Sequence, residues 1–271
     1  AATRGWRLKS YKMERLSRDR RLVWDLLRDT DSYYLNHQII LIDFSAVEAA
    51  RRYAEETGIS KPSFVAFALY AISRALKDFP VFNSYLRSFP FPSLAIYKDI
   101  DICFTVERSK KNGEKYVGLS ILKNCENKSF SNINEDFTAI KETPYEKTVH
   151  HKNRQIFLMI PDFLRIFLFK LFCKPFPSKM REIGGTCAFT SVGKFGVDFT
   201  TPLSPKSITF SLGRVCKRPM VIEGALQART CAYITLTYDH RIADGAQCAS
   251  LGARLKDIIE NGDWIKIICG K

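Results

Sequence analysis

The segment CAYITLTYDH (231–240) alternates residue types in the manner of a β-strand with one buried face. Just past its end the period changes. From about Gly245 to Glu260, Cys248, Leu251, Leu255, Ile258 and Ile259 form a stripe at helical spacing, and Asn261-Gly262 closes it. This strand-to-helix switch requires a mixed architecture. Upstream, residues 14–28 read as a helix with Leu16, Val23, Leu26 and Leu27 as its apolar stripe. QIILIDF (38–44) reads as a strand, and 44–58 as a helix with Ser45 as N-cap and Gly58 as its stop. Residues 60–80 form the clearest helix, capped by Ser60, with Pro62 in its first turn and Pro80 at its end. Residues 101–122 read as a hairpin with Asn112-Gly113 at the tip, and NINEDFTAIKET (132–143) as a helix. Residues 186–199 read as a strand bent by glycines, and 207–215 as another strand. With no internal repeat or low-complexity linker, residues 1–271 are expected to be a single α+β domain.

Hydrophobic residues make up 46% of the 271, ample for a buried core, so a disordered chain is excluded. The net charge of +14 suggests an anionic partner: nucleic acid, an acidic membrane or a phosphate-bearing cofactor. Much of the positive charge lies in residues 1–21, without any zinc-finger, RNP or helix-turn-helix signature, so a solvated surface is expected there and nucleic acid is not an expected partner. Eight scattered cysteines, with no CxxC pair, read as reduced thiols, mostly buried. The first residues lack the apolar run of a secretory signal, and a cytoplasmic protein is expected. Residues 156–176 (IFLMIPDFLRIFLFKLFCKPF) are strongly apolar, but Pro161, Asp162, Arg165, Lys170 and Lys174 interrupt them. The clean stretches fall short of the roughly 20 residues a membrane span needs. A helix over 162–173, buried in the core or at a subunit contact, is the main expectation. Membrane contact through 156–176 is the secondary one.

The chemistry-bearing residues lie at the strand-to-helix corner. His240 ends the strand, and Asp244-Gly245 follows four residues later. A histidine held at such a corner can present one ring nitrogen as a proton acceptor while a carbonyl or neighbour holds the other. Asp244 can cap the helix or pair with an arginine. On these residues alone, a strand end with a cap is the commoner case and an active site the rarer one.

Five collinear segments carry a more specific resemblance. DHRIADG (239–245) resembles the DHRxxDG signature of the acyltransferase (E2) component of 2-oxo acid dehydrogenase complexes, and is similar to the HHxxxDG of chloramphenicol acetyltransferase. GGTCAFTSVGKFG (184–196) resembles the family's GGTFTISNLGMFG segment, and SITFSLGRVCKRPMV (207–221) the strand before its KPVV segment. RLSRDRRLVWDLL (15–27) resembles the opening arginine helix. Residues 58–86 resemble the long helix that ends in a Pro-x-x-Asn corner. The resemblance implies a chloramphenicol acetyltransferase-like mixed sheet packed with helices, assembled as a homotrimer or a multiple of trimers, with a channel at the subunit interface. It implies a CoA-dependent acyltransferase that moves an acyl group between coenzyme A and a thiol, hydroxyl or amine acceptor, small or carrier-bound, with no metal. His240 would be the general base. Thr190 stands where the family has its oxyanion-stabilising serine, with Ser191 beside it as second candidate. Asp244 would orient the site, with Arg20 as its ion-pair partner ahead of Arg21. Within 1–271 no lipoyl or subunit-binding segment is expected, and VGLSILK (117–123) lacks the proline of the family's GLVVPVI. The alternative expectation is a non-catalytic trimeric scaffold that keeps the fold.

Overall fold

The computed structural model describes residue 16 and residues 18–28, 33–88, 90–109, 115–144 and 159–270. The expected hairpin tip at Asn112-Gly113 lies outside these residues. Strands β1 (Leu35–Asp43), β4 (Ile102–Ser109), β5 (Lys115–Leu122), β6 (Cys187–Ser191), β7 (Ile208–Leu212), β8 (Cys216–Ile222) and β9 (Ala225–Asp239) form one mixed sheet. Its order is β1-β9-β7-β6-β4-β5, with β8 on the first half of β9. The β4–β6 and β6–β7 pairs are parallel and the others antiparallel. A separate hairpin joins β2 (Ser84–Arg87) to β3 (Ser93–Ile96).

Alternation along the central strands decides where the core lies. Ile208, Phe210 and Leu212 of β7, and Ala232, Ile234, Leu236 and Tyr238 of β9, belong to one buried apolar cluster. The residues between them, Thr209, Ser211, Thr235 and Thr237, therefore face the other side of the sheet. The apolar side is covered by α2 (Ser45–Glu56), α3 (Phe64–Asp78) and α7 (Gly245–Asn261), with α4 (Phe130–Glu142) and α8 (Trp264–Ile268) packed against them. Helix α3 is buried on most of its surface, because Phe67 meets Phe130 at 4.5 Å and Trp264 at 5.1 Å between ring centroids.

The expected helices form within the described residues, with two caps displaced; residues 14, 15 and 17 of the helix expected over 14–28 lie outside them. Ser45 is the first helical residue of α2 and not its N-cap. The Asp43 carboxylate accepts the Ser45 N–H at 2.8 Å, which leaves the Ser45 hydroxyl to accept the Thr230 N–H at 3.2 Å. Ser63, not Ser60, caps α3 by accepting the Ala66 N–H at 3.2 Å, so Pro62 lies before the helix. The glycine-rich stretch after β6 is a short 3₁₀ turn at Gly193–Phe195 and not bent strand. The helix over 162–173 is α5 (Asp162–Phe172), followed by α6 (Pro177–Gly184). It is not a core helix: Phe167 and Leu171 are 60% and 51% exposed. All eight cysteines are free, and burial pushes the thiols of Cys125 and Cys248 up to about 12.

A buried aspartate fixes the start of β6. The Asp101 carboxylate accepts Arg181 Nε at 2.6 Å and the Asn124 N–H at 2.9 Å, while Thr186 N–H donates to the Asp101 carbonyl at 2.7 Å. Gly185 makes this close approach possible. Its φ is +67°, and a Cβ there would sit 2.5 Å from the Asp101 carbonyl oxygen. Gly185→Ala is expected to lower the unfolding free energy by about 2–3 kcal/mol, measured by urea denaturation, and an unchanged midpoint would contradict this account.

Candidate functional site

The end of β9 is fixed by a buried charge. Asp239 is fully buried, and its N–H donates to the Ser207 carbonyl at 3.1 Å. Its carboxylate accepts the Arg241 N–H at 3.1 Å and Arg241 Nε at 2.9 and 3.1 Å. These bonds hold the Arg241 guanidinium above its ordinary pKa. The same guanidinium lies over the rings of Tyr33 and Tyr34, at 5.1 and 5.8 Å. The His240 N–H donates to the Tyr34 carbonyl at 2.8 Å, and the Ile242 N–H to the Asp239 carbonyl at 2.9 Å. With Asp239 turned inward and Arg241 folded back on it, His240 between them projects outward.

His240 is exposed and lines a shallow, open depression of about 490 Å³ with Tyr34, Leu35, Asn36 and Arg241. Its ring lies 5.8 Å from the buried Tyr238 ring. Among the described residues no hydrogen bond reaches the imidazole nitrogens, and none of them supplies the expected local brace. The backbone is clamped while the ring is open to whatever enters the depression.

Asp244 takes one of the two roles the sequence left open. It caps α7, accepting the Gln247 N–H at 2.9 Å, while its own N–H donates to Gln247 Oε1 at 3.2 Å. The next residue, Gly245, accepts Gln38 Nε2 at 2.8 Å on its carbonyl, which ties the helix start to β1. Among the described residues Asp244 makes no ion pair with Arg20, and its carboxylate serves the helix end. Helix α1 (Arg18–Arg28) is tied to α5 by an ion pair: Arg165, 2% exposed, donates through Nε to Asp25 at 2.6 Å.

Thr190 and Ser191 alternate across β6, as their adjacency demands. Phe189 is in the core, so Thr190 faces the opposite side of the sheet, where its hydroxyl lies 3.1 Å from that of Thr105. The strand register places Thr190 beside Ser211, and Ser211 beside Thr235. Both of these neighbours are buried, and their hydroxyls have no hydrogen-bond partner among the described residues. This row of hydroxyls escaped the sequence reading. Only the alternation of SITFSLG and CAYITLTYD hinted at it, because Ser207, Thr209 and Ser211, and then Thr235 and Thr237, recur at every second position.

The structure does not bring His240 and Thr190 together in one chain. From Thr190 the register crosses two strand spacings to Thr235, and His240 lies five residues further along β9. The separation is roughly 20 Å. Base and hydroxyl thus sit toward opposite ends of the sheet.

The model of the 2-oxoacid dehydrogenases acyltransferase (catalytic domain) family matches residues 14–155 and 177–266. The chain belongs to this family. Among curated relatives, the dihydrolipoyllysine-residue succinyltransferase component of the 2-oxoglutarate dehydrogenase complex of Buchnera aphidicola (Schizaphis graminum) is 26% identical over 76% of the chain and 43% of its own length. The human mitochondrial counterpart is 24% identical over 94% of the chain and 50% of its own length. The chain thus spans half or less of the length of these relatives. In solved structures the same fold occurs in the cubic core of the pyruvate dehydrogenase multienzyme complex, with a TM-score of 0.69 and 21% identity over 96% of each chain. It also occurs in the dihydrolipoamide acetyltransferase of Azotobacter vinelandii, with a TM-score of 0.68 and 21% identity over 95% of this chain and 94% of that one. That structure concerns the catalytic roles of a serine, a histidine and an asparagine in the Azotobacter enzyme. The α+β mixed sheet expected from the sequence is therefore the fold of this acyltransferase family.

Arg241→Ala would strand a fully buried carboxylate. It is expected to lower stability by about 2–4 kcal/mol in chemical denaturation, the range being reduced because Arg241 is itself partly exposed. A loss within 0.5 kcal/mol, roughly that of an ordinary surface substitution, would refute the clamp.

Proposed function

We propose that this chain transfers an acyl group between coenzyme A and a thiol acceptor, in a site completed by a second copy. The observation that carries the reading is the placement of His240 and Thr190. Each is accessible, each sits on a fixed strand end, and they lie too far apart to act on one carbonyl within one chain. A closed homotrimer would set the His240 of each copy against the Thr190 of the next, giving three equivalent sites. The family membership and the E2-core fold support this assembly.

The chemistry follows from the residue types. The acceptor S–H gives its proton to a nitrogen of His240 as sulfur attacks the acyl carbonyl of the thioester. The carbonyl oxygen becomes an oxyanion, to which the Thr190 hydroxyl donates a hydrogen bond away from bulk water. Collapse expels the coenzyme A sulfur, which takes the proton back from the imidazolium. Thr190 is preferred over Ser191 because it lies on the hydroxyl-lined side of the sheet. Asp244 acts by fixing the start of α7 and so the turn that carries His240. Arg20 is assigned no step in this reading. The relatives are named for dihydrolipoyllysine, so a lipoyl dithiol, free or carrier-bound, is the acceptor to try first. The eight free thiols support a reducing, cytoplasmic setting.

Thiol release from acetyl- and succinyl-CoA with dihydrolipoamide tests the activity. His240→Ala is expected to cut kcat by about 10²–10⁴-fold, and wild-type turnover that survives this change would sink the assignment. Thr190→Ala is expected to cost about 10²–10³-fold. Mixing and reassociating the two inactive variants in equal amounts is expected to restore about one site in four, because random trimers then pair some intact histidines with intact threonines. No restoration would refute the shared site.

A further inference from the structure

The family match ends at residue 155 and resumes at 177, so α5 lies outside the shared acyltransferase domain. The structure holds this additional helix with its apolar stripe facing out. Leu164, Phe167 and Leu171 follow the i, i+3, i+7 spacing that normally turns toward a core, yet all three are exposed, Phe167 most of all. Phe172 and Phe176 extend the exposed apolar surface past the helix end. The opposite side is anchored. Arg165 is buried against Asp25, Tyr85 Oη donates to the Lys174 carbonyl at 2.9 Å, and Tyr97 Oη donates to the Pro177 carbonyl at 2.8 Å. The stripe is thus presented by a fixed helix and not by a loose tail.

From these features we propose that α5 docks the protein on an anionic lipid surface. Charge selects this occupant. No acidic residue occurs between Asp162 and Glu182, while that interval holds five basic ones. Arg165 and Arg181 turn inward to Asp25, Asp99 and Asp101, but Lys170 and Lys179 are exposed. The Lys179 ammonium lies 5.0 Å from the Phe176 ring centroid. Helix α1, tied to α5 by the Asp25–Arg165 pair, exposes Trp24 and Leu27 together with Arg20 and Arg28. Aromatic and aliphatic side chains bordered by lysines match the boundary between acyl chains and acidic headgroups. A second copy of the same face would bring the same positive charges into contact, on a chain that already carries +14. The eleven residues of α5 span about 16 Å, half of a bilayer core, and no helix among the described residues is long and apolar enough to cross a membrane. The helix would lie in the plane of the interface.

Co-sedimentation of the full chain with vesicles tests this. Vesicles of equal parts phosphatidylglycerol and phosphatidylcholine are expected to retain it, pure phosphatidylcholine vesicles to retain much less, and added salt to release it. Lys170→Gln is expected to weaken partitioning about fivefold. Phe167→Asp and Leu171→Asp are each expected to weaken it more than tenfold. Leu226→Asp, at a still more exposed site on the β8–β9 hairpin, is expected to leave binding unchanged, with circular dichroism verifying the fold of each variant. Equal binding to both vesicle types, or equal loss in Leu226→Asp and Phe167→Asp, would overturn the proposal. It would also be overturned if Phe167→Asp changed the oligomeric state in sedimentation velocity while vesicle binding was absent, because the face would then join copies of the chain.

Discussion

The two-residue alternation of β9 organises both the interior and the site. Its even-numbered residues, Ala232 to Tyr238, supply apolar side chains to the helical layer, and its odd-numbered ones supply the threonines of the opposite face. The strand also pairs with β1, β7 and β8, so three neighbours take their register from it. A slip of one residue would turn Ile234 and Leu236 onto the hydroxyl face and bury threonines against α3 and α7. Core formation therefore enforces the same register that sets Thr235 beside Ser211 and ends the strand at Asp239.

At that end, two charged groups divide the labour. Asp239 is desolvated and bound by its neighbour Arg241, which fixes the peptide on either side of His240. Asp244, four residues on, is exposed and spends its carboxylate on the amide end of α7. Both act on the main chain, and the imidazole is left free. The proposed shared site would use this combination: a backbone held by its own chain, and a side chain without a hydrogen-bond partner among the described residues.

Much of this was legible in the sequence, because much of it is local. The strand-to-helix corner, the long α3, the 101–122 hairpin and the five collinear segments depend on periodicity or on short motifs, and all of them stand in the fold. The errors have physical causes. Ser60 and Ser63 are both competent caps three residues apart, and tertiary packing of Phe64 and Phe67 selects the second. Ser45 lost its expected role because Asp43, two residues before it, is the better acceptor for the first helical amide. The ion pairs were beyond reach: Asp25–Arg165 joins residues 140 apart, and no local pattern links them. The exposure of α5 was equally hidden, since an apolar stripe reads alike whether it meets a core or solvent.

The pairing of β1 with β9 also sets the order in which the molecule can be made. Leu35 lies opposite Asp239, and His37 Nδ1 sits 2.8 Å from Thr237 Oγ1, across 200 residues of sequence. A nascent chain carrying α2, α3 and the β4–β5 hairpin still has β1 without its partner, because β9 follows every other strand of the sheet in the sequence. Contacts of such long range make folding slow and leave an open strand edge in the interval. The corner bearing His240 is therefore the final part of the sheet to be laid down, and an incompletely synthesised chain has no such corner.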